Sequence, residues 1–223
     1  MKIALLLAVS TVAIAAVEVH PEPGMHLDPA SFTDLRLMVG VPAPVTEASA
    51  AGVEYESEMA WAPRVGLQWV HGTAGNTWGA ALAVELAYDQ HRGEVSKATG
   101  VQTVYGTGET HLSTVTLGVM PKLVLRPDYD DPFDWGPGSV QIELGPVFSY
   151  GYGKAQIGGS EASDRTEVFS WGGRMDIVWT TDHRWQVGLS LGWETFEASP
   201  YLSGDASISG SGVMGGLLLG RRL

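Results

Sequence analysis

The stretch TWGAALAVELAYD, residues 77–89, alternates between two chemically different faces along its whole length. One face is apolar or aromatic and consists of Trp78, Ala80, Leu82, Val84, Leu86 and Tyr88, whereas the other carries mostly small or acidic residues. This period of two predicts a β-strand that is much longer than the usual about 5–6 residues. At roughly 3.3 Å per residue and a tilt of roughly 40°, the segment rises about 25 Å, the height of the apolar band of a membrane β-barrel.

Similar alternation recurs along the chain and predicts eight antiparallel strands. They cover about residues 31–41, 59–71, 77–89, 110–126, 139–152, 167–180, 185–197 and the end of the chain after residue 206. The connections 42–58, 90–109, 153–166 and 198–206 are long, 127–138 is intermediate, and 72–76 and 181–184 are short. Short turns at one end and longer loops at the other are typical of outer-membrane barrels.

Two details of this strand pattern leave alternatives open. Pro63 is awkward inside the second strand, since proline cannot donate to the hydrogen-bond ladder, and it predicts a bulge or a wide end. The segment 90–109 contains VQTVYG and either extends the fourth strand or adds a hairpin.

The composition restricts the function. The chain has 223 residues, 29 glycines, 17% charged residues and a net charge of −12. A strongly acidic protein is a poor partner for nucleic acid, because phosphate binding needs a basic face. There is no cysteine, so neither a disulfide nor a thiolate metal site is expected.

The N-terminus predicts secretion. Residues 1–15 combine Lys2, an apolar run and a small-x-small cleavage site at 13–15, the pattern of a signal peptide. We therefore divide the chain into a signal peptide (1–15), a periplasmic lead-in (16–30) and a barrel (31–223). Because no later apolar run is long enough for a spanning helix, a membrane-spanning form must be a closed barrel.

Aromatic residues are spaced as two interfacial girdles would require. Three strands each carry a pair of tryptophans eight residues apart on the same face. The predicted interface residues are Trp61, Trp69, Trp78, Tyr88, Trp171, Trp179, Trp185 and Trp193.

The opposite faces of the strands consist mainly of Gly, Ala, Ser and Thr, with a few charges of mixed sign. The predicted lumen charges are Arg36, Arg64, Glu85, Lys122, Glu143, Arg174, Asp176 and Glu194, and Asp34 lies on the same face of its strand. In a narrow lumen these groups can pair, which offsets their loss of water. Either they form a packed plug, since eight strands leave an interior that side chains can fill, or they line a narrow pore for small solutes.

A soluble calycin-like barrel is a further alternative. It would turn the large apolar residues inward, around an apolar ligand in a cavity lined by Leu82, Val84, Leu117 and Leu189. The repeated tryptophan spacing and the small residues of the other face favour the membrane barrel instead.

In architecture the chain resembles the small eight-stranded outer-membrane barrels of the OmpA/OmpX type. The resemblance rests on the signal peptide, the strand count, the girdles and the charged lumen, and covers about residues 31–223. It implies an outer-membrane location, with outer-membrane lipids and the barrel-assembly machinery as partners. Members of the group usually end in an aromatic residue, whereas this chain ends in Leu223, preceded by Arg221 and Arg222, which we place at the periplasmic rim near lipid head groups.

Enzymatic chemistry is weakly indicated. His111 and Ser113 resemble the His-x-Ser pair of outer-membrane lipid-A deacylases, but the sequence suggests no acid on the same face to orient the histidine. The acidic segment PDYDDPFD (127–134) reads as a solvated turn, and the six histidines show no metal-ligand spacing. We therefore expect a non-enzymatic protein without cofactor or metal, with a structural role or an extracellular partner bound through acidic loops.

Overall fold

One antiparallel β-sheet accounts for the described part of the chain. The computed structural model describes residues 30–60, 62–74, 78–100, 104–105, 108–126, 139–158, 160–181, 183–201 and 206–223. The strands are β1 (Ala30–Val41), β2 (Glu47–Ala50), β3 (Val53–Met59), β4 (Arg64–Ala74), β5 (Trp78–Thr99), β6 (Val104–Tyr105), β7 (Glu109–Leu125), β8 (Ser139–Ile157), β9 (Ser160–Thr180), β10 (Trp185–Pro200) and β11 (Ser207–Arg222). Within these ranges, no helix is long and apolar enough to cross a membrane.

The sheet closes on itself. β1 pairs with β4 on one side and with β11 on the other, and the ring runs through β5, β7, β8, β9 and β10. Each of these pairings joins neighbours along the chain except the closing pair of β1 and β11. The predicted eight-stranded antiparallel, up-and-down barrel is therefore confirmed, and it has no free edge along this ring.

The predicted long loop 42–58 is wrong, because this segment continues the wall of the barrel. Val41 pairs with Gly215 and Glu47 with Ser209, so six residues separate the two pairs on both strands and β2 continues the line of β1. Between them lie Pro42 and Pro44, which lack an N–H and interrupt the ladder. β2 then turns into β3 through a two-residue hairpin.

The prediction of a bulge at Pro63 agrees with the structure. β3 and β4 both pair with β5, where Met59 lies opposite Gly93 and Arg64 opposite Asp89. Five residues therefore separate Met59 from Arg64, against four on β5. The extra residue lies in the segment that contains Pro63, so β3 and β4 form one irregular wall strand.

Two further predicted loops are largely strand. β5 continues to Thr99 and pairs there with β6, so the alternative of an added hairpin in 90–109 is the one observed. β8 and β9 extend to Ile157 and back from Ser160. The chemistry of the two faces changes in these extensions. Outward residues such as Arg92 and Glu94 are polar, while inward residues such as Val95 are buried. Because strands were predicted from apolar residues on the outward face, these segments were predicted to be loops.

The turn at 181–184 is tight, as predicted. Thr181 donates its backbone N–H to the Trp185 carbonyl at 2.8 Å, and Arg184 adopts a φ of 66°. The signal peptide, residues 16–29 of the lead-in, Trp61, residues 75–76 of the turn 72–76 and the acidic turn 127–138 lie outside the described residues.

Candidate functional site

The barrel interior holds the predicted charges. All eight predicted lumen residues are at most 5% exposed, and they come from seven strands: Arg36, Arg64, Glu85, Lys122, Glu143, Arg174, Asp176 and Glu194. Each is an inward residue of its strand's alternation, which is why the period of two located them. The structure brings all eight together in one ionic network.

The network begins at the end of the barrel that carries the chain termini. Arg36 contacts Asp34 and Glu143, each at 2.6 Å. Lys122 donates to Glu143 at 2.8 Å and also contacts Asp176. These bonds join four strands through fully buried side chains.

Arg174 links this end to the other half of the interior. Its Nε donates to Asp176 at 3.2 Å, and its Nη2 donates to Glu85 at 2.7 Å. Glu85 also contacts Arg64 at 2.7 Å. One carboxylate thus holds two guanidinium groups, and the ion pairs continue without a break along the interior.

Three carboxylates surround the guanidinium of Arg64. Besides Glu85, Asp89 lies at 3.2 Å and Glu194 at 3.3 Å. Ser170 donates to the other carboxylate oxygen of Glu194 at 2.6 Å. This half of the network is therefore rich in acid.

Asp34, which shares the predicted lumen face, also belongs to this network, and two further members, Asp89 and Arg222, were not among the predicted lumen charges. Asp34 and Asp89 are 0% and 2% exposed, and both continue the inward alternation. Arg222 lies at the terminal end of the barrel, but the prediction that it lies near lipid head groups is wrong, since its Nε donates to Asp34 at 2.8 Å inside the barrel. The alternation of β11 could have shown this, because outward Leu217 and Leu219 place residue 222 on the inner face.

Acids outnumber cations in the network by one. Its described members are six carboxylates (Asp34, Glu85, Asp89, Glu143, Asp176 and Glu194) and five cations (Arg36, Arg64, Lys122, Arg174 and Arg222). His91 lies just above Asp89 on β5, and its Nδ1 is 2.8 Å from the Ala43 carbonyl oxygen. The imidazole therefore stands at the boundary between the ionic network and the next layer.

Apolar side chains fill the interior beyond the network. Phe196, which contacts the His91 ring at 4.2 Å between centroids, is fully buried. It belongs to a cluster of buried residues from the extended parts of the strands and from the segment 42–46: Ala43, Val45, Ala48, Leu112, Ala155, Ile157, Val168, Ala198 and Ile208. The end opposite the termini thus carries an apolar layer, while the half that holds the ionic network also contains two smaller apolar clusters, one around Phe32 and Val70 and one around Met38 and Leu218.

The outer wall has the opposite polarity. Its large side chains are exposed, including Leu117 at 53% and Leu189 at 51%. The predicted interface aromatics also face outward: Trp69, Tyr88, Trp171, Trp179, Trp185 and Trp193 are exposed and Trp78 is half-buried. Trp78 and Trp185 open their strands at the terminal end, whereas Tyr88 and Trp193 lie ten and eight residues further along.

His111 has an acidic neighbour that the sequence analysis missed. The Glu109 carboxylate lies 3.0 Å from His111 Nε2, and Ser113 shares the outward face of β7. This contact occupies Nε2 and turns that end of the ring towards Glu109, away from Ser113 along the strand. Glu109 lies two residues before His111, so the alternation of the strand could have identified it. The arrangement lacks the contact between serine and imidazole that an activated nucleophile requires. No group of three or more potential metal-ligating side chains occurs in the described ranges.

Solved structures include proteins that are similar to this chain. No family model and no curated protein matches the sequence. The crystal structure of Neisserial surface protein A is similar to this chain with a TM-score of 0.37 and 14% sequence identity, over 85% of this chain and 98% of that one. The barrel of the present chain is established by its own β1–β11 pairing.

Proposed function

We propose that this protein is an integral outer-membrane barrel with a structural or surface-interaction role and no enzymatic activity. The observation that carries the proposal is the reversed polarity of the barrel, with exposed apolar side chains outside and an ionic network inside. In water, an apolar surface of this extent would be an aggregation liability, whereas in a bilayer it meets lipid chains. The soluble alternative needs Leu82, Val84, Leu117 and Leu189 inside, and the outward direction of these residues speaks against it.

The surface beyond the apolar band supports an interaction role. Glu58 lies opposite Glu94, and Glu94 lies opposite Glu109, so three exposed carboxylates form a row across adjacent strands. Like charges directly opposite each other destabilise a sheet, so these three carboxylates need to be surrounded by water. Their combined negative charge suits a cationic partner. These acidic residues of the predicted loops 42–58 and 90–109 thus lie on wall strands.

Cell fractionation followed by electrophoresis of boiled and unboiled samples tests the location. Closed membrane barrels resist detergent until they are heated. We expect the protein in the outer-membrane fraction, with a heat-dependent change in mobility. A soluble protein without that change would overturn the proposal.

A narrow pore for small solutes is the second candidate, because the ion pairs form a continuous polar path through half of the barrel. Conductance in planar bilayers separates the two roles. A filled interior predicts no conductance in the wild type, whereas a pore predicts conductance that changes when Arg64 or Glu85 is replaced by alanine. Zero conductance in all three proteins would exclude the pore.

Lipid hydrolysis at His111 and Ser113 is tested separately. We expect the purified protein to release no fatty acid from lipid A. Release that is abolished by Ser113→Ala would contradict the non-enzymatic role.

A further inference from the structure

A groove of about 340 Å³ lies on the outer wall, at the end opposite the chain termini. Tyr152, Gly153, Lys154 and Arg165 line it. The first three belong to β8 and Arg165 to β9, and the exposed side chains of Tyr152, Lys154 and Arg165 point away from the barrel. The groove therefore opens outward and places two cationic residues on neighbouring strands.

Aromatic rings hold the Arg165 side chain in place. Its Cζ lies 5.8 Å from the centroid of the Tyr152 ring and 5.3 Å from that of Tyr201. The Arg165 carbonyl also accepts a 3.0 Å hydrogen bond from the Tyr201 N–H. Aromatic rings contact the flat face of a guanidinium, whereas phosphate binds along its edge, so the two contacts are compatible.

The tyrosines around Arg165 form a connected platform. Tyr150 donates its hydroxyl to Tyr152 at 3.2 Å, and the two rings meet edge to face at 5.4 Å. Tyr201 donates to the Glu167 carboxylate, and this hydrogen bond raises the pKa of Tyr201 above its usual value. The Tyr201 ring consequently stays uncharged beside the guanidinium.

The groove lies directly above the apolar band. Along β8, Lys154 follows Tyr150 and Tyr152 on the outward face, and these tyrosines lie opposite Leu117 and Val115 of β7. Both β7 residues are 53% exposed. A lipid whose chains cover Val115 and Leu117 would thus bring its head group to the height of Lys154.

We propose that this groove binds the phosphorylated head group of an outer-leaflet lipid. The proposal rests on the proposed outer-membrane location and adds a specific ligand class to it. Lys154 and Arg165 supply positive charge for a phosphate, while the nearby Glu167 carboxylate accepts a hydrogen bond from the Tyr201 hydroxyl. Tyr152 and Tyr201 fix the position of the guanidinium, and the exposed side chains below them contact the acyl chains.

Native mass spectrometry of the detergent-purified full-length protein tests this site. The probes are bis-phosphorylated lipid A, the same lipid after phosphatase treatment, and inorganic phosphate as a competitor. The test variant is Lys154→Ala/Arg165→Ala. Lys97→Ala is the matched control, because it also removes a cation at this end of the barrel, one that contacts Glu56 and does not line the groove.

We expect the wild type and Lys97→Ala to retain bis-phosphorylated lipid A, and the double variant to lose at least about tenfold in affinity, since two charge-assisted contacts are removed. Dephosphorylated lipid should bind the wild type as weakly as the intact lipid binds the double variant. Equal retention by all proteins would overturn the proposal, and so would displacement of the lipid by millimolar inorganic phosphate, which would indicate a site for free phosphate.

Unboiled electrophoresis shows whether each variant is folded. If the double variant is not, Lys154→Gln alone, at an exposed position, should still reduce retention, and unchanged retention would overturn the proposal. If the protein fractionates with the outer membrane but retains lipid A equally with and without its phosphates, only this inference is refuted. A soluble protein refutes the location on which it rests.

Discussion

Glu85 is the residue on which the ionic network depends most, because its carboxylate accepts from the guanidinium groups of both Arg64 and Arg174. It is 2% exposed, so water does not replace a lost contact. Glu194, in contrast, is a longer-range partner of Arg64 and accepts its shortest hydrogen bond from the neutral Ser170. Two glutamates in the same interior should therefore differ in their contribution to stability.

Glu85→Gln should lower the free energy of unfolding by about 3–5 kcal/mol, because it leaves buried guanidinium charge without compensation. Glu194→Gln is the matched control and should lose only about 1 kcal/mol, since an amide oxygen still accepts from Ser170 and the network keeps five carboxylates for five cations. Urea unfolding in lipid vesicles measures both. Equal losses in the free energy of unfolding would show that Glu85 and Glu194 contribute equally to stability, and would contradict this difference between them.

The β2–β3 hairpin provides a test at the scale of single elements. Ala51 and Gly52 both have positive φ, 52° and 78°, as a type I′ turn requires. Ala51→Gly should stabilise the protein by about 1 kcal/mol by relieving a left-handed alanine, and Gly52→Ala should destabilise it by about 1 kcal/mol. Hydrogen exchange of the amides in β2 and β3 reports both changes. Effects of the same sign would contradict the assigned turn.

The closing strand pair has its own ionic contact. Arg222 of β11 donates to Asp34 of β1, while the neighbouring Arg221 points outward with its guanidinium 5.5 Å from the Trp185 ring. Arg222→Ala should lower the free energy of unfolding by about 1.5–3 kcal/mol, the contribution of charged hydrogen bonds, whereas Arg221→Ala should change it less. The midpoint of the heat-dependent mobility change compares the two variants. A larger effect of Arg221→Ala would contradict the inward position of residue 222.

The alternation of the sequence was sufficient to predict the ring and the inward position of the eight predicted lumen charges. For Glu85 and Arg174, the period of two alone predicts the inward position. The partners within the network could not be predicted, because they depend on the shear that brings Arg36 of β1 next to Glu143 of β8. The strand extensions were missed where apolar residues move from the outer face to the inner one, as at Val95, and where prolines interrupt a wall that nevertheless continues, as at Pro42.

At the scale of the whole molecule, the outer wall should tolerate charge only beyond the apolar band. Leu189 and Ser199 share the outward face of β10, ten residues apart, and both are exposed. Leu189→Lys should destabilise the barrel in lipid vesicles by about 2–4 kcal/mol, while Ser199→Lys should lose at most about 1 kcal/mol. Urea unfolding measures the difference. A barrel surrounded by water would tolerate both lysines equally.

The most direct test of the proposed membrane barrel is a spin-label scan of β10 from residue 187 to residue 193 in lipid vesicles. The chain contains no cysteine, so each introduced cysteine carries the label alone. In a membrane barrel, collisions with oxygen, which dissolves in lipid, should exceed those with a water-soluble nickel chelate at 187, 189, 191 and 193. Both collision rates should be low at 188, 190 and 192. High nickel accessibility at the odd positions would place the wall in water and contradict the membrane barrel.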